Sequence, residues 1–322
     1  MITVSVVIPC YNAEAWVRDS IKGVFSQEVS ATDLRLEVIA VDDGSRDETA
    51  AIIAQEFPTV QVISTPNRGA SRARNSGTDA ATGEFIQYLD ADDLLAPGKI
   101  AAQIRALEES GADVAYGDWQ RLQANRKGDF ILGEIVARKM QRDPELELFG
   151  DFWCPPAAYL FRRRIVQRVG KWNERLPIIQ DARFALDCAL HGGTFVYCPG
   201  VMALYREHGP SSLSRRDPVA FVRDVYANAI EVERWWLEHG GLSDVRVQSL
   251  ADCYGYVARS CYARDKETFE MSYADLMRIA PNYVPRQPRY FAAACRLLGY
   301  RNAEAAASIY RRARRICRAE LA

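Results

Sequence analysis

The 322-residue sequence predicts an α/β fold: a mostly parallel sheet with helices on both faces, followed by a C-terminal helical extension. Three observations point there. Short apolar runs alternate with amphipathic stretches through roughly the first 120 residues. Those runs are continuous rather than alternating, the habit of strands buried on both faces of a parallel sheet. Polar residues gather just after several runs, where open α/β sheets bind ligands. Beyond about residue 210 no strand pattern remains.

The elements follow in order. "VSVVIP", rich in β-branched residues and ended by Pro9, predicts the first strand. Trp16, Ile21, Val24 and Phe25 then recur at helical spacing. "LEVIAVDDGS" is a second buried strand running into Asp42 and Asp43, and Asp47 is placed to cap the helix "DETAAIIAQEF". "TVQVIST" gives a third strand and "ASRARNSGTDAA" a third helix, stopped near Gly83. "EFIQYL" is a fourth strand that leads into "DADD". A helix over about 97–109 and a strand over about 112–119 follow, and residues 118–151 read as irregular. "PPAAYLFRRRIVQRVGKW" and "QDARFALDCALHGGTFVYCP" resume helix and strand, and "VMALYREH" is a further strand. Residues 217–239, 242–264, 267–280 and 287–319 read as helices. The expected division is a domain over 1–210, split into halves 1–118 and 119–210, and an extension over 211–322.

Composition narrows the function classes. With 48% hydrophobic and 26% charged residues the chain reads as soluble and globular. A net charge of −1 gives no support to a nucleic-acid partner. No apolar run is long enough for a bilayer. "MITVSVVIPC" has neither a basic leader nor a small-residue cleavage site, so a cytoplasmic location is expected. Eight cysteines are scattered with no Cys-x-x-Cys pair, which favours buried reduced thiols over zinc or redox motifs. No Gly-x-Gly-x-x-Gly follows the first strand, against a dinucleotide-binding dehydrogenase. "PCYNAEAW" has no Gly or Lys for a triphosphate loop, against a nucleotidyltransferase.

The acidic cluster Asp90, Asp92 and Asp93 needs a physical reason. Neighbouring carboxylates repel and raise each other's pKa unless something positive lies between them. Mg²⁺ and Mn²⁺ prefer oxygen ligands and commonly complete their shell with substrate phosphates. An Asp-x-Asp at a strand end therefore suits a metal-diphosphate site. The alternative is an acidic turn, with Asp93, just before "LLAPGKI", capping the helix that follows.

"VSVVIPCYNAEAWVRDSIKGVFSQ", "EVIAVDDGSRDET", "NRGASRARNSGTDAATGEFIQYLDADD" and "GKWNERLPIIQD" occur in that order. This series resembles the family 2 inverting glycosyltransferases, which have the GT-A fold, over roughly residues 3–210. The resemblance implies a nucleotide-diphosphate sugar donor, a UDP-sugar by preference, a divalent metal (Mn²⁺ or Mg²⁺), and a glycan or lipid-linked acceptor. Pro9, Tyr11 and Glu14 match the segment that lines the base and ribose pocket. Asp43 matches the Asp that contacts the base, with Asp42 supporting it. Arg74 lies where the family has a basic residue near the diphosphate, with Arg72 as its alternative. Asp92 would coordinate the metal, Asp90 would reach the ribose or the metal, and His208 would add a ligand or touch the diphosphate. Arg206 is a further phosphate candidate.

The resemblance also implies a catalytic base. Relatives carry it on a Glu-Asp pair; here the match is Gln180-Asp181, so Asp181 is the base candidate. Loss of the neighbouring charge should lower the pKa of Asp181. A helix N-cap is its structural alternative. Trp153 lies in a segment that faces the acceptor in relatives, or else is core. Gln180 keeps a second class open: a non-catalytic nucleotide-sugar-binding protein of the same fold.

Residues 286–322 hold nine Arg and no Lys against two Glu, a local charge of +7 that leaves −8 on the rest. Ala306, Ile309, Ala313 and Ile316 form a stripe, with Arg311, Arg314, Arg315 and Arg318 on another face. Such a helix can lie peripherally on an anionic membrane or dock on its own domain with its arginines in water.

Overall fold

The computed structural model describes residues 1–27, 34–125, 128–208 and 216–319, with 312–319 described in backbone alone. Two compact units emerge, Met1–Ser212 and Leu213–Ala322.

In the first unit the strands run β1 (Ile2–Cys10), β2 (Leu34–Asp42), β3 (Gln61–Ser64), β4 (Phe85–Tyr88), β5 (Leu94–Leu95), β6 (Val114–Ala124), β7 (Phe130–Val136), β8 (Tyr159–Arg162) and β9 (Phe195–Glu207). The helices are α1 (Val17–Phe25), α2 (Thr49–Glu56), α3 (Ala70–Ala80), α4 (Lys99–Ser110), α5 (Pro144–Phe149), α6 (Arg163–Val169) and α7 (Gln180–Leu190). Among the described residues the sheet order is β3-β2-β1-β4-β8-β6-β9-β5, with β7 paired to β6.

The half built from β3, β2, β1 and β4 is parallel, as expected. Its central residues Val4, Val6, Val7 and Ile8 of β1 are fully buried on both faces. Register brings the polar ends together. Cys10 pairs with Asp42, Asp42 with Ser64, and Val7 with Tyr88, so the chain leaves β1, β2 and β4 along one rim. The other half is mixed: β8 runs antiparallel to β4 and β6, while β9 runs parallel to β6.

Helix α3 lies close on β1 because Gly77 has no side chain; a Cβ there would meet Val7 Cγ1 at 2.4 Å. The polar face of α3 then grips the segment before α7. Asn75 Nδ2 donates to the Trp172 carbonyl at 3.2 Å and its Oδ1 accepts from Trp172 N at 2.8 Å. Ser71 Oγ donates to the Asn173 carbonyl at 3.1 Å. Trp172 stacks on Phe184 of α7 with centroids 4.2 Å apart, and Tyr88 of β4 meets both rings edge-on. This aromatic cluster positions the start of α7 beside the end of β4.

Several expectations are corrected. The segment 118–151 is not wholly irregular: β6 continues to Ala124 and forms a hairpin with β7, and Asp143 caps α5 by accepting from Glu145 N at 2.8 Å. "VYCP" and "VMALYREH" form one strand, β9, whose register slips around Pro199 and Gly200. Proline has no ladder N–H, and Asp118 covers the slip by accepting from Tyr197 Oη and Gly200 N. The N-cap position of α2 is Glu48, yet the Asp47 carboxylate still accepts from Thr49 N at 3.1 Å.

The second unit is helical: α8 (Pro218–Glu238), α9 (Asp244–Cys261), α10 (Lys266–Ile279), α11 (Arg289–Leu298) and α12 (Tyr300–Ala319). The single helix expected over 287–319 breaks at Gly299, which adopts φ +74°. Asp217, Ser243 and Asp265 cap α8, α9 and α10. Glu233 of α8 joins Tyr254 of α9 and Arg278 of α10. On α12 the described part of the expected stripe faces solvent rather than the domain. Ala306 and Ile309 are exposed, Ile309 at 72%, while Arg311 turns toward the fully buried Glu304. The side chains of Ala313, Arg314, Arg315, Ile316 and Arg318 lie outside the described residues.

No described helix is long and apolar enough to cross a membrane. Cys10, Cys154, Cys188, Cys198, Cys253, Cys261 and Cys295 form no disulfides, and all but Cys253 are buried.

Candidate functional site

The rim where β1, β2 and β4 end carries the expected residues. Pro9 is half-buried near the end of β1, and Tyr11 projects from the loop beyond, 46% exposed. That loop is stapled to the one after β2. Asn12, at φ +49°, accepts from Arg46 N at 2.9 Å and donates its own N–H to Ser45 Oγ at 3.0 Å. Glu14 N donates to Asp47 Oδ2 at 3.1 Å, and Glu14 Oε2 accepts from Glu48 N at 3.0 Å. Glu14 therefore holds backbone, while Tyr11 is left facing solvent.

Asp42 and Asp43 are both buried. Asp42 Oδ1 accepts from Ser45 N at 3.2 Å. Asp43 accepts from Thr65 Oγ1, Arg68 N and Gly69 N, the last at 2.8 Å, and so fixes the loop that enters α3. A carboxylate has about four acceptor positions, and with the Arg68 N–H shared between both oxygens each oxygen of Asp43 already accepts twice.

The acidic loop divides its carboxylates among three tasks. Asp90 pairs with Arg74. Asp92 Oδ2 lies 2.7 Å from His208 Nε2. Asp93 is buried and accepts from Arg206 N at 2.8 Å through Oδ1, while its Oδ2 has no hydrogen-bond partner. The cap reading of Asp93 is thereby corrected: two residues of β5 follow it, and α4 starts later, after Gly98. Burial, and then Asp92 and Asp90, push the Asp93 carboxyl well above the usual range. Burial also raises Asp90, against the pull of Arg74.

Arg74 departs from its expected place at the diphosphate. It is 2% exposed, with Nη2 on Asp90, Nη1 on Gln180 Oε1 at 2.6 Å, and its plane over Trp172 at 4.5 Å. It is not an open phosphate clamp; it ties the acidic loop to the start of α7. Arg72 is exposed and pairs with Glu174. Arg206 also departs from the phosphate reading. Its guanidinium is sandwiched between Trp16 at 4.4 Å and Phe130 at 4.5 Å, and its Nε donates to the Asp92 carbonyl at 2.8 Å.

Asp181 lies in the first turn of α7, with Ile179 at the N-cap position, so its cap reading is corrected too. Trp153 Nε1 donates to its Oδ2 at 2.8 Å. Burial raises the Asp181 pKa from the ordinary value, opposed by Trp153, the Ala182 N–H and Arg74. Burial thus dominates here, whatever the loss of a charge at position 180 contributes.

One continuous set of contacts results: Asp92 and Asp90 in one loop, Arg74 joining Asp90 to Gln180, and Asp181 next in chain held by Trp153. The arrangement places a hard anionic group and an imidazole side by side, with the half-buried Asp181 carboxylate close to Asp90. Among the described residues no three His, Cys, Asp or Glu side chains converge as a closed metal cage, so the expected set Asp90, Asp92 and His208 does not close. The donor pair Asp92 and His208, one oxygen and one imidazole nitrogen, fits an open site for a transition-metal ion such as Mn²⁺ better than for Mg²⁺, with water and phosphate filling the rest.

Trp16, Trp119, Phe130 and Tyr205 were missed in the sequence. Trp16 and Phe130 pack on His208, and Trp119 and Tyr205 on Trp153. Helical and strand patterning reads an aromatic residue as core, so periodicity carried no signal for them.

Residues 5–170 match the sequence signature of the family described as Glycosyl transferase family 2. The chain is 32% identical over 239 residues to the glycosyltransferase GlyG of Streptococcus pneumoniae serotype 4, covering 69% of this chain and 76% of that protein. Uncharacterized glycosyltransferases of Rickettsia also match, but the chain spans only about a fifth of their length. Among solved structures, S. aureus TarS 1–349 in complex with UDP-GlcNAc superposes with a TM-score of 0.70 at 17% identity, over 97% of this chain and 92% of that one. The mannosyltransferase PcManGT of Pyrobaculum calidifontis, in complex with GDP-Man and Mn²⁺, superposes at 0.56 with 18% identity, over 95% and 86%.

Proposed function

The chain belongs to glycosyl transferase family 2, and on that premise we propose that it transfers a sugar, with inversion, from a UDP-sugar to a glycan or lipid-linked acceptor. The observation that carries this reading is Arg74, which spans Asp90 and Gln180 and so holds the acidic loop against the turn that bears Asp181. We assign residues 1–118 to the donor and 119–210 to the acceptor, with 211–322 as a separate helical extension.

Tyr11 and Pro9 frame the base and ribose, and Asp43, which the family pattern sets at the base, holds the Arg68–Gly69 turn beside it. Asp42 and Glu14 act by holding the loops around that pocket. The nucleotide preference draws on Asp43 and on the UDP-GlcNAc bound by a fold neighbour. Asp92 and His208 would hold the divalent metal, with Asp90 kept in place by Arg74. Such a metal, when bound, neutralises the charge that builds on a departing diphosphate.

The residues of this chain supply the rest. Asp181 takes the proton of the acceptor hydroxyl as its oxygen bonds to the anomeric carbon. The bond from that carbon to the diphosphate oxygen breaks, and its electron pair leaves on UDP. Burial of Asp181 brings its pKa nearer to working pH, which suits a general base.

The C-terminal unit adds a membrane contact to this proposal. Leu297 is 83% exposed, and Tyr290, Leu298 and Ile309 are exposed with it, beside exposed Arg289 and Arg296. Exposed apolar side chains and arginines in one helical unit suit the interface of an anionic membrane, where a lipid-linked acceptor would lie.

Gln180 supports a second reading, a protein that binds nucleotide sugars without turnover. UDP release from a panel of UDP-sugars, with wild type and Asp181→Asn, separates the two. The transferase reading expects release by wild type, lowered on the order of 10²-fold or more in Asp181→Asn. UDP binding with no release by wild type would favour the second reading.

A further inference from the structure

Asp181 is gripped on both oxygens: Trp153 Nε1 donates to Oδ2 and Ala182 N to Oδ1, each at 2.8 Å. An indole nitrogen can only donate, so its bond is made best with the ionised carboxylate. The indole is itself held. Trp119 meets it edge-on with centroids 5.3 Å apart and planes at 84°, and Tyr205 does so at 5.4 Å and 80°. Trp119 and Tyr205 also pack on each other, at 5.5 Å. They come from neighbouring strands: Trp119 of β6 pairs with Ala203 of β9, two residues before Tyr205. The three rings thus close a triangle whose outer corner carries one N–H, aimed at Asp181.

Resting on the reading of Asp181 as the base, we propose that Trp153 is a positioning residue for it: the ring triangle fixes the indole, and the indole N–H fixes the rotation of the carboxylate. The same bond biases the carboxylate toward the form that accepts a proton. Burial drives Asp181 the other way, and the groups around it are Arg74 from α3, Asp90 from the acidic loop, Tyr159 from β8 and Tyr205 from β9. Arg74 is already committed to Asp90 and Gln180. The indole donor is therefore the side-chain contact that can be removed without disturbing the acidic loop.

Trp153→Phe keeps the ring and removes the N–H. Trp119→Phe alters the triangle and keeps the N–H. UDP release from a UDP-sugar in water, measured from acid to neutral pH, needs no identified acceptor. Loss of a donor to an ionised group raises its pKa, so the acid limb of kcat/KM for Trp153→Phe should move up by about one pH unit. Its kcat should fall while the donor KM stays near wild type. Trp119→Phe, which leaves an aromatic ring in the triangle and the N–H in place, should move the limb less than Trp153→Phe does. Trp153→Gln, a smaller side chain that still carries an N–H and does not titrate, should place the limb between wild type and Trp153→Phe, and serves where the Phe variant melts too low to assay.

A wild-type limb in Trp153→Phe, or equal shifts in Trp153→Phe and Trp119→Phe, would overturn the positioning role. Asp181→Asn distinguishes the two levels. If Asp181→Asn is inactive while Trp153→Phe behaves as wild type, the positioning role alone fails. If Asp181→Asn is fully active, or wild type releases no UDP from any UDP-sugar, the base reading fails and the positioning role with it.

Discussion

Gln180 Oε1 accepts from Arg74 Nη1 at 2.6 Å, and this bond fixes which way the amide faces. A guanidinium offers no acceptor, so the oxygen must be the atom that meets it. A glutamate at this position would meet the same Arg74 as a carboxylate. Gln180→Glu should therefore fold, and its new charge beside Asp181 should raise the base pKa. The acid limb of the UDP-release profile should move to higher pH. A limb that moves to lower pH would contradict the electrostatic account.

Arg74 is nearly fully buried between Asp90, Gln180 and the Trp172 ring. Arg74→Met should strand the Asp90 carboxylate and cost about 3 kcal/mol. At about 2–4 °C per kcal/mol for a unit of this size, the melting temperature should fall by on the order of 10 °C. Arg74→Lys should not restore it, since a single ammonium cannot reach both partners as a planar fork does. A melting temperature unchanged in Arg74→Met would show that the pair does not hold the loop.

His208 Nε2 sits at 2.7 Å from Asp92 Oδ2. His208→Ala should raise the Mn²⁺ concentration needed for half-maximal UDP binding by about 10–100-fold, the loss expected for a group that ligates or orients at a metal. Titrating Mn²⁺ at fixed UDP reads this directly. An unaltered Mn²⁺ midpoint would reduce the histidine to a packing partner of Trp16 and Phe130.

The helical unit has its own pH-sensitive cap. Asp265 accepts from Thr268 N and Oγ1 and pairs with Arg223 Nε at 2.7 Å, which lowers its pKa to about 2. The folded value lies below the ordinary 3.8, so the stabilisation is present above about pH 4 and is lost as pH falls toward 2. Asp265→Ala should cost about 1 kcal/mol at neutral pH. It should also flatten the loss of helical stability between those pH values, followed by circular dichroism.

Strand and helix order in the first half was legible because short, continuous, β-branched apolar runs are the mark of strands covered on both faces. The rim followed from where those runs end. The hairpin of β6 and β7 was not legible. "FILGEIV" is half exposed, so its apolar residues do not mark one face and the pattern reads as irregular. The nearness of Asp92 and His208 was legible through the family resemblance, which expects both at one site, and the two side chains meet at 2.7 Å. The role of Arg74 was not, because the resemblance sets a basic residue near the diphosphate and a polar helix pattern gives no sign that the residue is buried. Only the approach of α3 at Gly77, and the grip of Asn75 on Trp172, bury it. Asp93 and Asp181 read as caps because sequence shows a carboxylate near a helix start, whereas capping depends on where the first turn closes.

The central claim is that the acidic loop binds a nucleotide diphosphate with a divalent metal. Its most direct measurement is the thermal shift of wild type and Asp92→Ala with UDP, GDP, TDP and CDP, each with and without Mn²⁺. The account predicts a rise with UDP that requires both Mn²⁺ and Asp92. No metal-dependent rise with any nucleotide would contradict it and leave "DADD" an acidic turn.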